Sequence, residues 1–122
     1  MSTNAKIIFG YKDQYGHWTV EKEFVRWADG YSEMVLPQLK EFTTTEKGVD
    51  VEAFNNAMKY NSWKLEDITE NSYQYGQMNY HYYIDESDRA KIRCTVLKED
   101  SEFFNKYNVM NMVVEQELIL ND

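Results

Sequence analysis

The sequence predicts an α+β fold: an antiparallel sheet of four to six strands, ending in a C-terminal β-meander, with two helices packed on one face. Three observations carry that prediction. Apolar residues recur at helical spacing in two stretches near the middle, 32–43 and 50–61. They alternate with period two in three long stretches of the second half, and a first segment is rich in β-formers. Short polar runs separate these segments, and strands grouped apart from helices are the pattern of a sheet with helices segregated to one side. With 122 residues, no internal repeat and no Pro-, Gly- or Ser-rich linker, the chain reads as one domain over 1–122.

The first segment, Lys6-Ile-Ile-Phe-Gly-Tyr-Lys12, is rich in β-formers and runs into Asp13-Gln-Tyr-Gly16, whose Gly can take a positive φ. It predicts a strand and a turn. From His17 to Phe24 two periods compete: Trp18, Val20, Lys22 and Phe24 alternate, while Val20, Phe24, Trp27 and Tyr31 recur at helical spacing. A hairpin strand is the favoured reading, with a helix capped by Thr19 and stopped by Gly30 as its rival. Met34, Val35, Leu39 and Phe42 form one helical stripe, and Pro37 places the helix start close to itself, because an internal Pro removes a backbone bond. Thr43 to Gly48 reads as a polar loop. Asp50 then caps a second helix whose Val51, Phe54, Ala57 and Met58 face inward, running to about Asn61.

Beyond it Trp63 and Leu65 open a strand, and the stretches Tyr73–Ile84, Ala90–Leu97 and Val109–Leu120 read as three more. Apolar faces match if Ile84 lies across from Ala90, Tyr82 from Ile92, Tyr80 from Cys94 and Met78 from Val96, with a connection of three or five residues. Met110, Met112, Val114, Leu118 and Leu120 continue that face on the last strand. Tyr73 and Tyr75 are out of phase with Met78 onward, so a bulge is expected near Gly76.

Charge excludes several functions. With 21 Asp plus Glu against 13 Lys plus Arg, the net charge is −8. That opposes direct nucleic-acid binding and anionic membrane surfaces, which need clustered cations, and favours a protein partner with a basic surface. No apolar run approaches the roughly 20 residues of a spanning helix, and the start Met-Ser-Thr-Asn-Ala-Lys lacks the apolar stretch of a secretory signal, so a cytoplasmic protein is expected. A single cysteine, Cys94, allows neither an internal disulfide nor a multi-Cys zinc site. Ten Asn, ten Lys and ten Tyr against three Arg and one Pro fit AT-rich codons and hence a low-GC bacterium or a phage.

Catalytic equipment is thin. Neither His-x-x-x-His nor Cys-x-x-Cys occurs, so no metal site is expected; no Gly-rich phosphate loop or nucleophile elbow is present, and no cofactor is implied. Cys94, between Ile92 and Val96 on the expected core face, reads as a small hydrophobe. Two candidate surfaces remain. The register above leaves His81, Tyr83, Lys91, Arg93 and Thr95 on the opposite face, His81 across from Arg93 and Tyr83 across from Lys91, where cations and rings could hold a small anion such as a nucleotide. The plainer reading of that face is a solvated one, with Glu115 and Glu117 paired to Lys91 and Arg93 for about 0.2–1 kcal/mol each. The second surface is acidic: Glu66, Asp67 and Glu70 before one strand and Glu99, Asp100 and Glu102 after its neighbour, gathered at one end of the sheet. Aromatics in excess of a core's needs, Tyr15 and Trp18 at the first turn and Tyr73 and Tyr75 near the bulge, add rings suited to a partner contact.

The sequence therefore favours a small acidic non-enzymatic interaction protein that binds and inhibits or sequesters a protein partner, in the manner of a phage-type inhibitor or a toxin-neutralising protein. The alternative is a binder or sponge of a small anionic ligand over His81, Tyr83, Lys91 and Arg93. A hydrolase or isomerase using a carboxylate with His81 or His17 comes last. Open β edges and surface aromatics also allow a homodimer.

Overall fold

The computed structural model describes residues 3–60, 65–71, 78–100 and 112–122. Strands β1 (Ala5–Lys12) and β2 (Trp18–Arg26) form a hairpin, so the stretch with two competing periods is a strand. Helix α1 (Ser32–Glu41), a two-residue-per-strand hairpin of β3 (Thr43–Thr44) and β4 (Gly48–Val49), helix α2 (Val51–Tyr60) and the short β5 (Leu65–Asp67) follow. The second half contributes β6 (Tyr80–Asp85), β7 (Arg93–Glu99) and β8 (Met112–Ile119). Six of the strands make one sheet in the order β5-β2-β1-β6-β7-β8, an α+β architecture with the expected C-terminal meander. Every neighbouring pair is antiparallel except β1 and β6, which run parallel from Ala5 opposite Tyr80 to Gly10 opposite Asp85.

That parallel contact makes β1 an interior strand, and its composition fits: Ile7, Ile8 and Phe9 are all buried, because an interior strand loses water on both faces. On one face Ile7, Phe9, Phe24, Tyr82, Ile84, Cys94 and Val96 meet Val35, Leu36 and Leu39 of α1 and Phe54 and Met58 of α2. Phe54 is the hinge of this layer, with ring centroids 5.7 Å from Phe9, 6.3 Å from Phe24 and 6.2 Å from Phe42, all edge-on. On the other face Val25, Ile68 and Met78 form a smaller buried group with Trp27 against it.

Asp50 caps α2 as its sequence requires, Oδ1 accepting the Ala53 N–H at 3.0 Å. α1 begins five residues before Pro37 instead of beside it. Pro37 lies on the exposed side, where water can serve the carbonyl of Glu33 that Pro cannot. Residues 43–48 close as a tiny hairpin because Gly48 adopts φ +72°.

The β6–β7 register differs from the expected one by four residues. Ile84 lies across from Cys94, Tyr82 from Val96 and Tyr80 from Lys98, leaving residues 86–92 as the connection. Side chains hold that connection without strand pairing. Asp85 Oδ1 accepts from Ser87 N and Oγ, Asp88 Oδ1 accepts from Ala90 N, and Asn121 accepts from Ile92 N while donating to Arg89 O and Thr44 O. An even slip keeps every side chain on its expected face. On β8 Gln116 faces Val96 but Val114 faces Leu97, so Glu115 is an extra residue and the alternation reverses there. Leu118 and Leu120 reach the core, whereas Val114 turns outward. The expected bulge near Gly76, Trp63 and Met110 lie outside the described residues.

Candidate partner-binding surface

The β1–β2 turn is built by one carboxylate and one glycine. Asp13 Oδ1 accepts the N–H groups of Tyr15 at 2.8 Å and His17 at 2.9 Å, Asp13 N donates to His17 O at 2.8 Å, and Gly16 takes φ +80°. The turn is thus fixed before any partner arrives. It carries Tyr15 at 75% exposure, and Trp18, Tyr11 and Val20 flank it at about 40% each. These are four of the six large apolar side chains exposed among the described residues; the others are Val113 and Val114 on β8. Asp13→Ala is expected to cost about 1 kcal/mol, as for a lost helix cap, and to abolish hydrogen-exchange protection at the Tyr15 and His17 amides. Unchanged protection would refute this account of the turn.

Below the turn the ladder is interrupted. Phe9 pairs with Lys22 and Gly10 with Val20, so Glu21 is a bulge residue, and Trp18 and Val20 lie on the face opposite Phe24. Trp18 rests directly on Gly10: a Cβ there would sit 2.6 Å from Trp18 Cζ2 and 2.6 Å from Thr19 O. Gly10 O accepts the Glu86 N–H at 2.8 Å from the other side. The Glu86 carboxyl shares a hydrogen bond with Glu21, and burial first, then Glu21, pushes it up to about 8.

His81, Tyr83, Lys91 and Arg93 are not brought together. His81 lies across from Leu97 and Tyr83 from Thr95, while Arg93 lies across from Asp85, about 13 Å from His81 along the strand. His81 is buried, its Nε2 accepting the Met78 N–H at 3.4 Å; the ring proton of the neutral form is then on Nδ1, 3.5 Å from Tyr83 Oη. Burial, and secondarily Lys6, push its pKa down to about 4. Lys6 itself pairs with Glu23 at 3.5 Å in the same enclosed row. Lys91 is exposed in the β6–β7 connection, and it and Arg93 line a cleft of about 450 Å³ with Thr45, Ile119, Asn121 and Asp122. Asp85 across from Arg93 and Asp122 in the cleft oppose an anion there. Glu117 lies across from Thr95, and Glu115 accepts from Ser32 Oγ at 2.6 Å, so neither makes the ion pair expected of it. Cys94 is buried, and burial pushes its thiol up to about 12.

The two acidic groups are also apart, because β5 joins the outer edge of β2. Four inter-strand steps, about 19 Å, separate β5 from β7. Glu66 accepts from Trp27 Nε1 at 3.0 Å, Asp67 pairs with Lys22 at 2.9 Å, and Glu99 accepts from Asn79 Nδ2 at 2.9 Å; Glu70 is exposed, and Asp100 follows β7. Glu102, Tyr73 and Tyr75 lie outside the described residues.

Sequence reasoning named Tyr15 and Trp18, both of which are exposed, and did not single out Tyr11, Val20, Gly10 or the Glu21–Glu86 contact. The signal for Gly10 was available, since a Gly inside a strand pattern marks a bulge or a close approach. No family model, curated protein or solved structure matches the chain. Among the described residues no helix is long and apolar enough to cross a membrane, and no group of three or more His, Cys, Asp or Glu side chains is placed to hold a metal ion.

Proposed function

We propose that the chain is a non-enzymatic interaction protein that binds a protein partner through the tip of the β1–β2 hairpin and thereby inhibits or sequesters it. The observation that carries this reading is Tyr15, exposed on a side-chain-braced turn, with exposed Trp18 and Val20 on one face of the hairpin behind it and exposed Tyr11 on the other. Tyr and Trp bury large area for few rotors, and a turn already held in one shape pays little ordering entropy on docking. The net charge of −8 favours a partner whose contact surface is basic around an apolar pocket.

A photo-crosslinking residue at position 15, with a control at exposed position 52 on α2, tests this in cells of the source organism. The expected result is one protein joined at position 15 and not at 52. Tyr15→Ser and Trp18→Ser should each weaken the purified pair by about 2 kcal/mol, roughly thirty-fold, with the melting temperature unchanged for Tyr15→Ser and lowered for Trp18→Ser, whose ring packs on Gly10. Equal labelling from both positions, or affinity indifferent to both substitutions, overturns the reading.

A further inference from the structure

We propose that the partner docks on the hairpin tip as an added strand: an extended segment, apolar on one side and basic on the other, that pairs with the open outer border of β2 from Trp18 to Val20. This deepens the reading above and rests on the tip being the partner-binding surface. β2 has two neighbours over only part of its length. β5 pairs with Phe24, Val25 and Arg26; beyond them Thr69 Oγ1 accepts the Glu23 N–H at 3.1 Å, and Glu23 O accepts the Ile68 N–H at 2.8 Å. Among the described residues nothing pairs with the outer border of β2 before that point. The direction of its backbone groups follows from the other strand of the hairpin. Asp13 N donates across the hairpin to His17 O, whereas Gly10 O accepts from Glu86 N and Lys12 N donates to Ser87 Oγ, both on the far side. Opposed residues of an antiparallel pair either exchange bonds or turn their groups outward together. Val20, across from Gly10, and Trp18, across from Lys12, therefore present N–H and C=O to the outer border. Such a row of open donors and acceptors is the template on which an extended segment pairs.

Side chains on the two faces of this border set the chemistry of the added strand. Trp18 and Val20 share one face and are both exposed, so the residues of the segment that fall on that side are apolar. Lys22, across from Phe9, and Asp67, across from Phe24, lie on the other face and pair at 2.9 Å. Glu70 and Glu21 act on the same ammonium, so three carboxylates surround one cation and two negative charges are left over. Just past the open stretch, Lys22, Asp67, Thr69, Glu70 and Asn71 line a cleft of about 330 Å³, with room for a Lys or Arg side chain. The alternate residues of the segment are therefore basic. A second copy of this chain, at net charge −8, would bring more acid against that excess, so the occupant is a foreign segment. The braced turn on one side and the bulge at Glu21 on the other bound the open stretch, so the pairing is short and the rings supply much of the contact.

The test is amide hydrogen exchange, followed by NMR on the full chain, alone and with a short blocked peptide of alternating Lys and Val. Alone, the Trp18 and Val20 amides should exchange freely while that of Thr19, which faces β1, is protected. The peptide should slow Trp18 and Val20 by about ten-fold or more and leave Glu23, already bonded to Thr69, unchanged. A peptide of alternating Glu and Val should do nothing, and Glu21→Gln combined with Glu70→Gln should weaken binding of the basic one. Val20→Pro, which deletes the outward N–H, should abolish the slowing at Trp18, whereas Val20→Thr should keep it. The proposal is overturned by protection of Trp18 and Val20 in the dilute free chain, by slowing that needs only more of the chain itself, by an equal effect from the acidic peptide, or by none from the basic one. The wild-type comparison decides even if a variant does not fold. Crosslinking at position 15 reports separately on the tip. A protein captured there with no peptide effect removes the added strand and leaves the docking reading; a peptide effect with no captured protein leaves the open border and removes the docking reading.

Discussion

Lowering the pH from 7 to 4 should destabilise the fold by roughly 3 kcal/mol at His81 alone, and His81→Gln should remove most of that slope. The folded-state pKa lies at about 4, below the usual 6.5, because the ring is enclosed and Lys6 stands beside it. Between those two values the unfolded chain binds a proton that the folded chain refuses. Stability is therefore intact above about pH 6.5, declines as the pH falls through the window, and has lost the full contribution below 4. Carboxylates titrate over part of the same range, so the measurement is the difference in slope between wild type and His81→Gln in urea unfolding at several pH values. Gln can still accept the Met78 N–H. Parallel slopes would show that His81 protonates freely in the folded state, and the tautomer assigned from its two contacts would fall with it.

Phe54→Ala should lower the unfolding free energy by about 3–5 kcal/mol, a large part of the stability of a domain this size. Phe54 is fully buried, and its ring joins Phe9 of β1, Phe24 of β2 and Phe42 at the end of α1. Alanine leaves a cavity that three aromatic edges line and that the surrounding sheet is too stiff to close. Phe54→Leu, which keeps most of the volume, should cost less than half as much. The check is the shift of the urea midpoint at constant m-value. A loss under 1 kcal/mol for the alanine variant would mean that α2 does not carry the helical layer.

Local elements were legible because their signals are local. Asp50 with Val51, Phe54 and Met58 specifies α2 within nine residues, and Asp13 with Gly16 specifies the turn that presents Tyr15 and Trp18. The long-range features were not legible. Nothing near β1 names β6 as its neighbour; the one trace is that Ile7, Ile8 and Phe9 run on without alternation, as an interior strand does. The β6–β7 register slipped because Asn121, remote in sequence, serves that connection's backbone groups. Both bulge residues, Glu21 and Glu115, look like ordinary exposed positions, and each reverses the alternation around it. That reversal exposes Val20 and Val114, which simple alternation counts as inward-facing. His81 lies on the expected face, yet it is enclosed, and a buried neutral imidazole across from Leu97 is no part of an anion site.

The parallel pairing of β1 with β6 sets the order of assembly. Ala5 meets Tyr80, seventy-five positions along, whereas β1 meets β2 through a five-residue turn. Closing the short loop is fast and closing the long one is slow, so the hairpin forms while the other border of β1 still lacks its neighbour. During that interval Ile7 and Phe9 lie on a strand with unsatisfied backbone groups, a template on which a second nascent chain can pair. Slower arrival of β6 is therefore expected to lower the yield of native protein at high synthesis rates.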